Sequence, residues 1–159
     1  MKKILFALSL FVIACDSEKD NITLPLLDVT QVSEILNSNN WVITYYYDSN
    51  SEKTANFSGY VFDFSTSGIL TATGLNDTIV GNWSLTDSDS SSNDDDSSND
   101  DSYSDDEDNL DLYIWFSSPA NFAELSDDWD IMSVSDTIIE LIDQSGGNGG
   151  TDFLTFELQ

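Results

Sequence analysis

The chain has 159 residues, 40% hydrophobic and 12% aromatic, and its four Lys, without Arg or His, stand against 30 acidic residues for a net charge of −26. That length supports one domain with a modest core, and the aromatic content opposes global disorder. The charge excludes nucleic acid, whose phosphates are bound by Lys and Arg that displace counterions, and it excludes docking on anionic lipid headgroups through a basic patch.

The first 15 residues, MKKILFALSLFVIAC, open with Lys2 and Lys3, continue with an eleven-residue apolar run from Ile4 to Ala14, and end at Cys15, the single cysteine. At about 1.5 Å per residue such a run covers only about half of a hydrocarbon core of roughly 30 Å, so residues 1–14 read as a signal peptide and not as a membrane span. The stretch VIAC, residues 12–15, resembles the lipobox of bacterial lipoprotein signal peptides. That resemblance implies a diacylglyceryl group on the Cys15 thiol, cleavage after Ala14, and acylation (palmitate, for example) of the new amino terminus. Two or more acyl chains make a stable anchor where one gives marginal binding. The alternative is an ordinary signal peptide whose cleavage site adjoins a cysteine. Removal of residues 1–14 takes away two Lys and leaves two against 30 acidic residues, a charge of −28.

DSEKDN, residues 16–21, is similar to the acidic stretch after the lipidated cysteine in surface-exposed lipoproteins of Bacteroidota. Asp16 is also similar to the inner-membrane retention signal of proteobacterial lipoproteins, and the Asn- and Asp-rich composition favours the first. The expected location is the cell envelope, anchored in the outer membrane and exposed at the cell surface, with the bilayer as partner through Cys15. Residues 15–29 read as the lipidated cysteine and a flexible tether, with Pro25 opposing regular structure.

From Thr30 to Asn37, Val32, Ile35 and Leu36 fall at helical spacing and predict one short amphipathic helix that plugs or caps a sheet. From Trp41 the period becomes two. WVITYYY places Trp41, Ile43, Tyr45 and Tyr47 on one face, GYVFDF sets Tyr60, Phe62 and Phe64 against Val61 and Asp63, and ILTAT follows a turn ending at Gly68. TIVGNWSL aligns Ile79, Gly81, Trp83 and Leu85, and NLDLYIWF aligns Leu110, Leu112, Ile114 and Phe116. SPANFAELSDD reads as a loop with one helical turn, followed by WDIMSV, TIIELID and, after SGGNGG, DFLTFEL. Eight short strands behind one N-terminal helix predict an all-β fold, a compact antiparallel eight-stranded barrel over residues 30–159, with a β-sandwich as the alternative.

The order of the short helix, WVITYYYDSNSEKT, FSGYVFDFSTSGILTATG, GNWSL, LSDDWDIMSVSDTIIEL and a terminal DFLTFEL resembles the small lipocalin-like lipoproteins of Bacteroidota. The likeness covers residues 30–159 and implies a compact barrel. Its motifs determine a fold and name no ligand.

Without His, the Ser-His-Asp, Cys-His and His-based zinc arrangements are absent. The expectation is a protein that is not an enzyme and carries no cofactor. The alternative is a carboxylate-dependent hydrolase built from strand acids such as Asp63, Asp111, Asp130 and Glu140. A lipocalin-like barrel more naturally takes an apolar ligand in its mouth, where Trp41, Tyr60, Phe62, Trp83 and Trp129 could line a pocket. The competing reading makes them core, because a barrel of about eight strands is just filled by its own side chains. Tyr113 and Trp115 alternate with Leu112, Ile114 and Phe116 and should face outward, where they suit contact with a partner or glycan. Two functions stay open: an envelope lipoprotein whose barrel binds a small apolar ligand or an envelope component, and a structural or interaction lipoprotein with an acidic surface that loosely binds divalent cations.

The second function draws on DSDSSSNDDDSSNDDSYSDDED, residues 87–108, which holds eleven acidic residues and no basic one. As an EF-hand loop it fails, with Ser92 where Gly makes the turn and Ser98 where a bidentate Glu closes the site. It reads as a disordered, hydrated insertion over 87–109. Loose calcium binding would fall on Asp94, Asp95, Asp96, Asp100, Asp101, Asp105 and Asp106.

Overall fold

The computed structural model describes residues 28–87, 110–144 and 150–159. Asp28 opens helix α1 (Val29–Ser38) with a reciprocal cap: the Gln31 backbone N–H donates to Asp28 Oδ1 at 2.9 Å, and the Asp28 N–H donates to Gln31 Oε1 at 3.2 Å. Val32 and Leu36 are fully buried. The helix therefore closes one end of the sheet, and the Trp41 indole N–H satisfies the Leu36 carbonyl at 3.1 Å.

Strands β1 (Asn40–Asp48), β2 (Ser51–Glu52), β3 (Val61–Phe64), β4 (Ile69–Thr73), β5 (Thr78–Asp87), β6 (Leu110–Trp115), β7 (Asp127–Val134), β8 (Ile138–Asp143) and β9 (Asp152–Leu158) follow, every pairing antiparallel. From β3 to β9 each strand pairs with its sequence neighbour, and β1 closes the ring by pairing with β3 and with β9. The fold is a closed eight-stranded antiparallel barrel, with β2 as one short strand outside it. Closure decides for the barrel over the sandwich and removes the open edges that so strand-rich a chain would expose.

The β1–β3 seam is partial, since only Asn40 and Trp41 pair with β3. Beyond it the connection from β2 satisfies β1: Tyr46 accepts from the Lys53 N–H at 2.8 Å, and its own N–H donates to Thr54 Oγ1 at 2.9 Å. The 3-10 turn Thr54–Phe57 then drops Phe57 into the barrel. Ser49 and Asn50, both at positive φ, form the tight turn between β1 and β2.

Alternation predicts the inward faces of β3, β5 and β6 and fails in β1. Ile43 pairs with Phe156 and Tyr45 with Thr155, so Thr44 is an extra residue opposite β9 and the parity reverses. Tyr46 points into the core, and Tyr45 and Tyr47 do not join Trp41 and Ile43 there; their rings stack with centroids 6.5 Å apart. The core is one cluster of 21 buried apolar side chains among the described residues. Phe122, from the single turn of α2 (Ala120–Ala123), meets Phe57, Tyr60, Phe62 and Phe116 and plugs the end opposite α1.

Candidate functional site

The residues expected to line a ligand pocket lie inward. Trp41, Phe62 and Trp129 are essentially without exposed surface, and Trp83 is buried with its indole N–H donating to the Ser65 carbonyl at 2.9 Å. Trp129 likewise donates to the Leu125 carbonyl at 3.1 Å. Tyr60 is half-buried, and its hydroxyl donates to Asp77 at 3.0 Å. Edge-to-face contacts link Trp83 to Phe64, Phe64 to Phe156, and Phe156 to Phe62. Much of their surface is thus engaged in contacts with one another. A groove of about 320 Å³ lies between α1 and β5, walled by Val29, Ser33, Asn37, Thr66, Trp83 and Leu85, so of the five expected residues Trp83 alone borders it.

At the α2 end three carboxylates turn inward: Asp127 at the start of β7, Asp143 at the end of β8 and Asp152 at the start of β9. Asp143 and Asp152 are buried and directly opposite each other in register. Asp152 Oδ1 accepts the Ser49 N–H at 3.1 Å. Burial, then hydrogen bonding to Asp128 and the neighbouring Asp143 charge, push Asp127 up to about 6. The same alternation that names Ile139, Leu141, Leu154 and Phe156 as core also places Asp143 and Asp152 inward, so this group is legible in the sequence, hidden only by the habit of assigning strand acids to solvent. Among the described residues no group of three or more His, Cys, Asp or Glu has the arrangement to hold a metal ion. Nearby, the Lys53 ammonium is held by Asp48 at 2.6 Å and Glu124 at 3.2 Å.

The outer face of β4–β7 has a different character. Trp115 and Tyr113 stand outward on β6, 49% and 40% exposed, as the alternation predicts. Across the strands Trp115 lies beside Asn82 of β5, which lies beside Ile69 of β4, and Tyr113 lies between Ser84 of β5 and Asp128 of β7. One row further, Asp111 faces Asp130 directly. Burial, then Asp130 and Asp128, raise the Asp111 carboxyl above its ordinary range. Val80, exposed on β5, extends the apolar part of the surface. Two aromatic faces, apolar neighbours and carboxylates thus share one wall of the barrel. Of the other strand acids, Asp63 and Glu140 are exposed on separate strands.

Cys15, the tether before Asp28, and the aspartates at 94, 95, 96, 100, 101, 105 and 106 lie outside the described residues. The class that the fold defines is a compact, closed, eight-stranded antiparallel barrel of lipocalin-like form. Comparison with protein-family models, with curated proteins and with solved structures finds no match to the chain.

Proposed function

We propose that this protein is a lipid-anchored, non-catalytic binding module of the cell envelope, which meets an envelope component through the outer face of β4–β7. The observation that carries this reading is the division of its aromatics. Trp41, Trp83 and Trp129 are buried and hydrogen-bonded within the barrel, whereas Trp115 and Tyr113 stand exposed on one wall. Large exposed aromatics at the centre of a patch are the side chains that most often dominate binding energy. The anchor rests on the lipobox-like VIAC sequence ending at Cys15.

Three features favour a non-catalytic role. The chain has no His, and Lys53 is engaged by two carboxylates. Asp111 and Asp130 lie side by side on the outer face of the barrel wall, whereas the two carboxyl groups of a glycosidase flank the bond they cleave.

Expression of the full chain and of Cys15→Ser in a bacterium that matures lipoproteins tests the anchor. Wild type should enter the membrane fraction and take up labelled palmitate, and Cys15→Ser should do neither. An unlabelled, soluble wild type overturns the anchor. Native mass spectrometry of the purified protein tests the outer-face reading, which stoichiometric retention of an apolar molecule would overturn.

A further inference from the structure

The outer face of β4–β7 has an electrostatic asymmetry that narrows what can cover it. Asp111, Asp128 and Asp130 crowd beside Tyr113, with Asp111 opposite Asp130 and Tyr113 opposite Asp128 in the β6–β7 register. Lys53, the one cation among the described residues, is held by Asp48 and Glu124 at the α2 end, where β1 finishes. Three occupants are disfavoured by charge. A second copy of a chain with net charge −26 is repelled, the acid-rich 88–109 segment carries the same sign as the patch, and an anionic polymer meets no Lys or Arg. A basic partner is attracted by the whole molecule and, on arrival, meets acids beside two exposed aromatic rings. Guanidinium groups stack on Trp and Tyr faces and fork onto carboxylates, so both halves of the patch serve one side-chain type.

Resting on the outer-face reading above, we propose that this wall binds a cationic, Arg-rich segment of another protein, with Trp115 and Tyr113 as stacking surfaces and Asp128 and Asp130 as counter-ions. The partner lies across β4–β7, with its apolar side chains toward Val80 and Ile69. Long-range attraction sets the association rate, and the aromatic contacts set how long the complex lasts.

The test uses the full chain, an octa-arginine peptide, and cellohexaose as a neutral glycan, at physiological salt. The indole N–H signals of the four Trp are followed by NMR, with Trp115→Phe identifying the Trp115 signal. The peptide should shift the Trp115 signal saturably while the signals of buried Trp41, Trp83 and Trp129 hold. The double variant Tyr113→Ala/Trp115→Ala should lose about tenfold in affinity, about 1.4 kcal/mol, and Asp128→Asn/Asp130→Asn should lose a similar amount. Leu75→Ala, in the exposed β4–β5 turn, should bind as wild type. Equal affinity in wild type and the double aromatic variant overturns the proposal, since binding would then be diffuse charge attraction. A Trp115 shift with cellohexaose and none with the peptide also overturns it, and leaves the outer-face reading standing. Silence from both probes removes both, while the Cys15 anchor is decided separately by fractionation.

Discussion

Gly81 shows how a single position in β5 constrains the barrel. A Cβ built there would lie 2.5 Å from the Trp115 carbonyl oxygen and 2.6 Å from the Phe116 ring. The backbone contact cannot relax by a side-chain rotation, so Gly81→Ala should destabilise the fold by about 2 kcal/mol, read from the urea midpoint at pH 7. An unchanged midpoint would mean that β5 and β6 can separate freely. Asp127 makes a second residue-scale prediction, in the opposite sense. Its carboxyl titrates at about 6 in the fold against an ordinary 3.8, through burial and its acidic neighbours Asp128 and Asp143. Between those values the folded chain keeps a proton that the unfolded chain has released. The group's contribution is therefore full below the lower value, falls as pH rises, and is lost above the upper one. Asp127→Asn should flatten that decline and raise stability above pH 6 by about 1 kcal/mol, allowing for solvent screening at this half-exposed site. Thermal melts from pH 3.5 to 8 would show it, and parallel profiles for the two proteins would reject it.

At the level of elements, α2 is one helical turn whose contribution lies in one ring. Phe122 reaches the axis and touches rings from β3, from the residue after β6, and from the 3-10 turn. Phe122→Ala should cost about 3–5 kcal/mol, a large share of the stability of a small domain, and Phe122→Leu should restore much of it. Near-equal denaturation midpoints for Phe122→Ala and wild type would show that the barrel end closes without its plug. The elements also show what a sequence can and cannot disclose. In β5 and β6 strict alternation identified the inward set Gly81, Trp83, Leu112 and Ile114, and with it the outward pair Tyr113 and Trp115. In β1 the same rule misplaced Tyr45, Tyr46 and Tyr47, because one extra residue opposite β9 reverses the parity and Thr44 carries no local mark of it. The inward acids at the ends of β8 and β9 obeyed the alternation. They were missed because an acid in a strand is ordinarily assigned to the solvent side.

For the whole molecule, charge and fold make opposing demands. The barrel closes its core from both ends, with Val32 and Leu36 on one side and Phe122 on the other, while a net charge of −26 pushes the surface apart. The pairing of β5 with β6 is complete on the barrel side of the acidic stretch, from Asn82–Trp115 to Asp87–Leu110. Neither strand therefore needs residues 88–109 to set its register. A deletion joining Thr86 to Asn109 through a short Gly-containing turn, which gives up only the terminal Asp87–Leu110 pair, should fold to the same barrel. It should melt higher than wild type at low salt, because acidic residues are removed, and the gap should shrink toward zero near 1 M salt, where screening acts within about 3 Å. A gap that persisted at high salt would point to loop-closure entropy in place of repulsion. Failure of the deleted chain to fold would assign the acidic segment a structural role and reverse its reading as an insertion.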